Sequence, residues 1–133
     1  MNRPFDDQSV SNVRLEAMAA YFIFALIEEK KIKLVNSSVI EYENSKNPFF
    51  ERKIWVFAYL SKATFYQRVN SKIKERAKGI GELKISSIDS LHLASAEAAR
   101  VDYFITCDYD IIRKYKGNLK AINPINFIQT LRA

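Results

Sequence analysis

Cysteine is almost missing from this chain. Cys107 is the only one in 133 residues, so no internal disulfide can form and a reducing compartment is expected. Histidine is equally scarce: His92 stands alone, which excludes a histidine-rich zinc site. Three glycines and three prolines leave little material for linkers or disordered tracts. They also leave no glycine-rich phosphate loop, because Gly79-Ile80-Gly81 is too short for one. Long hydrophobic runs are absent too. The longest apolar stretch, Ala17 to Ile27 (AMAAYFIFALI), is too short to span a bilayer and reads as a buried helix segment. MNRPFDD has no apolar core after Arg3, so no signal peptide is expected. The expectation is a single cytoplasmic domain over residues 1–133 with no membrane partner.

What is present is basic. Lys and Arg outnumber Asp and Glu by 21 to 15, a net charge of +6, with a pI near 9.4. That balance favours a polyanionic partner through phosphate contacts and counterion release, and points to nucleic acid. The basic residues are scattered rather than gathered in one arm.

Helix and strand signals alternate. A helix is expected to start near Asp6-Asp7-Gln8-Ser9, with Val13, Ala17, Ala20, Phe24 and Ile27 along one face. KIKLVNS reads as a strand. Ser38 with Glu41 fits a capping box for the next helix, and Pro48 can open another. ATFYQRV reads as a short strand. Asn70 should cap a basic helix that runs through Ala77 and stops at Gly79 and Gly81. Ser86-Ser87 starts a helix through Ala99, DYFITCD is strand then turn, LKAIN is a strand, and Asn123-Pro124 opens a last helix. Such alternation implies an α/β fold with a parallel sheet.

Acidic residues fall where strands should turn into helices: Glu43 after KIKLVNSS, Asp89 in SSIDSLHLASAE, and Asp108 with Asp110 in DYFITCDYD. Ligands of parallel α/β sheets bind at those carboxyl ends, and carboxylates there suit a hard divalent cation. Three of these acids have a structural explanation as well, whereas Glu43, two residues deeper in its helix than Glu41, has none. Asp89 fits an acid three residues after an N-cap serine, Asp108 fits a plain N-cap, and Asp110 fits a charge favoured at a helix N-terminus. His92 shares a helical face with Asp89, as packing residue or as support for it. Cys107 has no histidine partner in sequence and is a poor candidate nucleophile.

Taken together these segments resemble the PIN-domain ribonucleases, the family that contains the VapC-like toxins of toxin–antitoxin systems. The carrying motifs are Ile88-Asp89-Ser90-Leu91-His92-Leu93-Ala94, similar to the family's D-A-L-H-L-A helix, and Tyr103-Phe104-Ile105-Thr106-Cys107-Asp108, similar to its strand ending in T-x-D. Asn123-Pro124 and the segment from Val35 to Glu43 match more loosely. The resemblance implies a three-layer α/β/α sandwich. It implies Mg²⁺ or Mn²⁺ held by Glu43, Asp89 and Asp108, with Asp110 as a fourth carboxylate and Thr106 orienting a carboxylate or water. It implies hydrolysis of single-stranded RNA by a metal-activated water, an antitoxin protein as partner, and a homodimer. The family's first strand and its terminal aspartate have no counterpart before Asn2-Arg3-Pro4-Phe5-Asp6-Asp7. The sheet is therefore expected to lack its central strand; Asp6 and Asp7 are poor substitutes for the carboxylate, since neither sits on a predicted strand end. The alternative is a catalytically weak or inactive PIN-like domain that binds RNA or protein.

Overall fold

The computed structural model describes residues 3–131, with side chains from Ser11 onward. Eleven elements follow in chain order: α1 (Arg3–Glu28), β1 (Val35–Ser37), α2 (Ser38–Ser45), α3 (Phe50–Leu60), β2 (Phe65–Gln67), α4 (Ser71–Gly81), α5 (Ser87–Ala99), β3 (Tyr103–Ile105), α6 (Tyr109–Lys114), β4 (Lys120–Ile122) and α7 (Pro124–Thr130). The fold is mixed α/β with helix in excess. Its strands pair in parallel, as the alternation implies, but in two separate pairs: β1 with β2 and β3 with β4. No described helix is long and apolar enough to cross a membrane.

Polar caps set most helix starts. Ser86 Oγ accepts from Asp89 N, Asn70 Oδ1 from Ile73 N, and Asn123 Oδ1 from Asn126 N. Each satisfies a backbone donor that a helix leaves open. Pro124 follows at the first helical position, where its missing N–H costs nothing. Several boundaries differ from the expectation: α1 starts at Arg3, and α3 starts at Phe50 after Phe49, so Pro48 lies outside it. The cap of α2 is Ser37, whose Oγ accepts from Ile40 N, and Ser38 is already helical. Helix α4 continues through Gly79 to Gly81, because buried Ala77 and Ile80 keep its apolar face against the core. That burial outweighs the roughly 1 kcal/mol by which each helical glycine falls short of alanine.

Helix α5 is the centre of the molecule. Leu93 is fully buried, and Ser90, Ala94 and Ser95 are nearly so. Together with Ile73, Ala77, Ile80, Ile85, Ile111 and Tyr115 its residues form the larger core. A second cluster joins Ile23 and Ile27 of α1 to Phe127 of α7. Tyr103 meets the Phe127 ring edge-on at 5.0 Å. Among the described side chains of α1 only Ala19, Ile23 and Ile27 are buried. The Ala17–Ile27 segment is therefore not enclosed as its composition suggests. Met18, Tyr21 and Phe22 face outward, and Val13 of the expected inner stripe is exposed. Phe24 instead packs on Trp55 and Tyr59 of α3. The side chains of Asp6 and Asp7 lie outside the described residues.

One polar knot ties α4, α5 and the segment after α6 together. Arg76 grips Glu97 through Nε–Oε1 (2.7 Å) and Nη2–Oε2 (3.1 Å). The Tyr115 hydroxyl donates to the same carboxylate and accepts from Leu119 N. Burial alone would raise the Glu97 carboxyl, but the Arg76 and Tyr115 hydrogen bonds outweigh it and hold its pKa below the usual carboxylate range. The backbone of Gly117 lies against this knot, and a Cβ there would overlap the Tyr115 hydroxyl and the Glu97 carboxylate.

A depressed folded-state pKa means that the unfolded chain binds more protons, so stability rises with pH. The Glu97 contribution should be complete above its unfolded value, about 4.3, and be lost as pH falls through the lower folded value. Glu97→Gln should cost about 1–2 kcal/mol at pH 7, charged hydrogen bonds discounted for the half-exposed Arg76. Urea melts at pH 7 and pH 3 check this: the gap between wild type and variant should narrow at the lower pH.

Candidate functional site

Helix α2 leaves the end of β1 with two glutamates facing different ways, since two residues turn a helix by about 200°. Glu41 Oε2 accepts from Asn36 Nδ2 and Oε1 from the Tyr66 hydroxyl, both at 3.0 Å, so it ties α2 to β1 and β2. Glu43 points elsewhere. Its Oε1 lies 2.9 Å from His92 Nε2, and its side chain stays mostly exposed while His92 is largely buried. His92 stands three residues beyond Asp89 on α5, on the same helical face. The contact therefore ties the α2 carboxylate to the second turn of α5; Asp89, one turn earlier, is half-buried at a positively polarised helix end.

The other expected site residues gather at the end of β3. Asp108 caps α6, with Oδ1 accepting from Asp110 N (2.9 Å) and Ile111 N (3.3 Å). Thr106 Oγ1 accepts from Asp108 N, so Thr106 orients the capping residue through its backbone. Asp110 pairs with Arg113 one turn on. Among the described residues, no hydrogen bond or ion pair joins this group to Glu43, Asp89 or His92.

A further carboxylate reaches the β3 end from α1. Glu16 Oε2 accepts from the Tyr109 hydroxyl at 3.0 Å, and Asn123 Nδ2 donates to that hydroxyl. Burial and the neighbouring Glu16 push the Cys107 thiol above its ordinary pKa. Glu16 follows no strand, so the strand-end pattern does not reveal it. Its one signal is a lone acid inside a mostly apolar helical run, VRLEAMAA.

Among the described residues no three His, Cys, Asp or Glu side chains form a ready ion cage. Mg²⁺ asks for less, since it keeps several waters and takes one or two carboxylates. Glu43 and Asp89 carry hard oxygen donors on the packed helices α2 and α5. Beside Glu43 a surface groove of about 480 Å³ is lined by Lys46, Phe49 and Arg52. Cations there lie over aromatic rings: Lys46 Nζ is 5.2 Å from the Tyr42 ring and the Arg52 guanidinium 4.9 Å from that of Phe49. A larger groove, about 950 Å³, runs between the two strand pairs and has His92 on its wall. Compared with family models, curated proteins and solved structures, the chain matches none.

The thiolate is the reactive form of cysteine, so Cys107 should alkylate slowly with iodoacetamide at pH 8 despite its exposure. Glu16→Gln removes a negative neighbour, lowers the thiol pKa and should speed the reaction several-fold. Burial, the larger cause, should keep the rate below that of free cysteine.

Proposed function

We propose that the protein is a Mg²⁺- or Mn²⁺-dependent endoribonuclease of PIN type that cuts single-stranded RNA. The observation that carries this reading is the Glu43–His92 contact, which joins the α2 carboxylate to α5 at a residue three positions beyond Asp89. Glu43 and Asp89 are the primary metal ligands in this proposal. Asp108 completes the set with the carboxylate oxygen that its cap leaves free, and Asp110 adds long-range negative charge. The two parallel strand pairs are read as halves of one central sheet in a three-layer sandwich. When bound, the metal supplies Lewis-acid stabilisation of the phosphate and a more acidic water. His92 holds Glu43 in place. Lys46 and Arg52 meet phosphates, and the Tyr42 and Phe49 rings meet bases, the pairing of cation and stacking surface that single strands favour. The net charge of +6 works in the same direction over longer range.

The runner-up is a PIN-like binding module with little or no activity. The exposed aromatic surface of α1 and α3 favours it, since a surface of that kind marks an interaction site. In either case the partner there is a second copy of the chain: Met18, Tyr21 and Phe22 of α1 and Phe50 and Phe57 of α3 are exposed on two helices that meet through Phe24, Trp55 and Tyr59. An antitoxin protein is the further partner that a toxin role entails.

Asp89→Asn and Glu43→Gln should each weaken Mn²⁺ binding by calorimetry at least as much as removal of an outer-shell partner does, about 10–100-fold, and should abolish cleavage of a fluorogenic single-stranded RNA. Unchanged cleavage in both would remove the assignment. Lys46→Glu with Arg52→Glu should weaken RNA binding and flatten its salt dependence, by about 0.7 in log–log slope for each phosphate that is no longer neutralised.

Multi-angle light scattering at micromolar concentration should give the mass of a dimer. Phe57→Glu should shift it to monomer, because a charge in an apolar contact opposes association. A monomeric wild type would rule out the second copy as occupant of this face.

A further inference from the structure

β1 and β3 each have a partner on one side only, and both border the same groove. Parallel strands are normally interior to larger sheets, and pairs of three-residue strands are marginal alone. The free edge of β3 can be assigned. Thr106 N donates to Ile122 O at 3.0 Å, and in a parallel ladder alternate residues turn their backbone groups to opposite sides. Phe104 and Thr106 therefore address β4. Tyr103 and Ile105 turn theirs the other way, toward the groove that they line.

The side-chain walls also suit a chain segment. On α5, Ser95, Ala96 and Ala99 present small side chains to the groove, so a backbone can approach closely. Ser95 is 2% exposed, yet its Oγ has no hydrogen-bond partner. A buried hydroxyl without a partner costs about 1–3 kcal/mol, and a polar group entering the groove would relieve that. The opposite side is apolar, with Ile23, Ile27 and Phe127. The end from which β1 and β3 start is basic: Lys31, Lys33 and Arg100 border it against Asp102 alone.

We infer that this groove binds an extended strand of another polypeptide, inserted parallel to β1 and β3 and completing one continuous sheet. Its backbone bonds to both edges, the mode by which peptides add to open sheets. Its small or hydroxyl side chains face Ser95 and Ala99, and its larger apolar ones face Ile23 and Phe127. An acidic residue precedes the strand, beside Lys31, Lys33 and Arg100. Every strand among the described residues is already placed in a pair, so the inserted strand is supplied from outside them. A small molecule would satisfy Ser95 but not two backbone edges. The inference is independent of the nuclease reading, since it needs neither metal nor RNA.

The test uses the full chain and a blocked peptide of one glutamate followed by alternating valine and serine. Titration calorimetry gives affinity, and amide hydrogen exchange gives location. The expected result is binding tighter than millimolar, with slowed exchange at Tyr103 and Ile105. N-methylation of alternate peptide amides should weaken binding by about tenfold or more, equivalent to about 1.4 kcal/mol. Ala99→Trp, which narrows the groove, should do the same. Absence of binding at millimolar peptide, equal binding of the N-methylated peptide, or protection confined to the aromatic face of α1 and α3 would each overturn the inference.

Discussion

Burial of α5 on nearly all sides is the constraint on which the other elements depend. Ser90, Leu93, Ala94 and Ser95 are almost without solvent contact, so neighbours meet this helix around much of its circumference. Such crowding requires small side chains. Ser90 Oγ, closed in beside Gly81, satisfies its polarity on Ile85 O at 3.3 Å. The same helix carries Asp89 and His92 near its start and Glu97 near its end. Packing, the carboxylate–histidine contact and the Arg76 knot are thus three uses of one rigid rod. Its rigidity fixes where Glu43 can find a partner.

Much of this was legible in the sequence, because it is local. Ser86, Asn70, Asn123 and Asp108 act as caps wherever they precede a helical run, and each does so here. The strands were legible by composition and short range. What failed to show depends on contacts between segments. Gly79 and Gly81 look like a stop until the burial of Ile80 is known. The apolar run of α1 looks like core because composition cannot say how many faces find a neighbour. Its outward rings show that the number was smaller than the hydrophobicity suggests.

The site divides along the same line. That Glu43, and not Glu41, is free for chemistry follows from the helical turn between them, and Glu41 is held by Asn36 and Tyr66. The His92–Glu43 distance could not be read, since it spans 49 positions. Glu16 and Tyr109 are 93 positions apart, with no shared motif to link them. The strands stand in two separate parallel pairs, whereas the lack of a central strand was expected from the PIN resemblance alone. The resemblance that raised that expectation remains a proposal.

Scarcity of glycine leaves a trace in the backbone. Lys30, Lys84 and Arg100 adopt left-handed conformations at φ of 61°, 67° and 58°. These are places where chains commonly use glycine, and a side chain there costs roughly 1–2 kcal/mol each. All three residues are cations near helix ends, where the negative pole returns part of that cost. The fold therefore carries a reserve of thermal resistance that it does not use, one that glycine at three solvent-facing positions would release without touching a core residue.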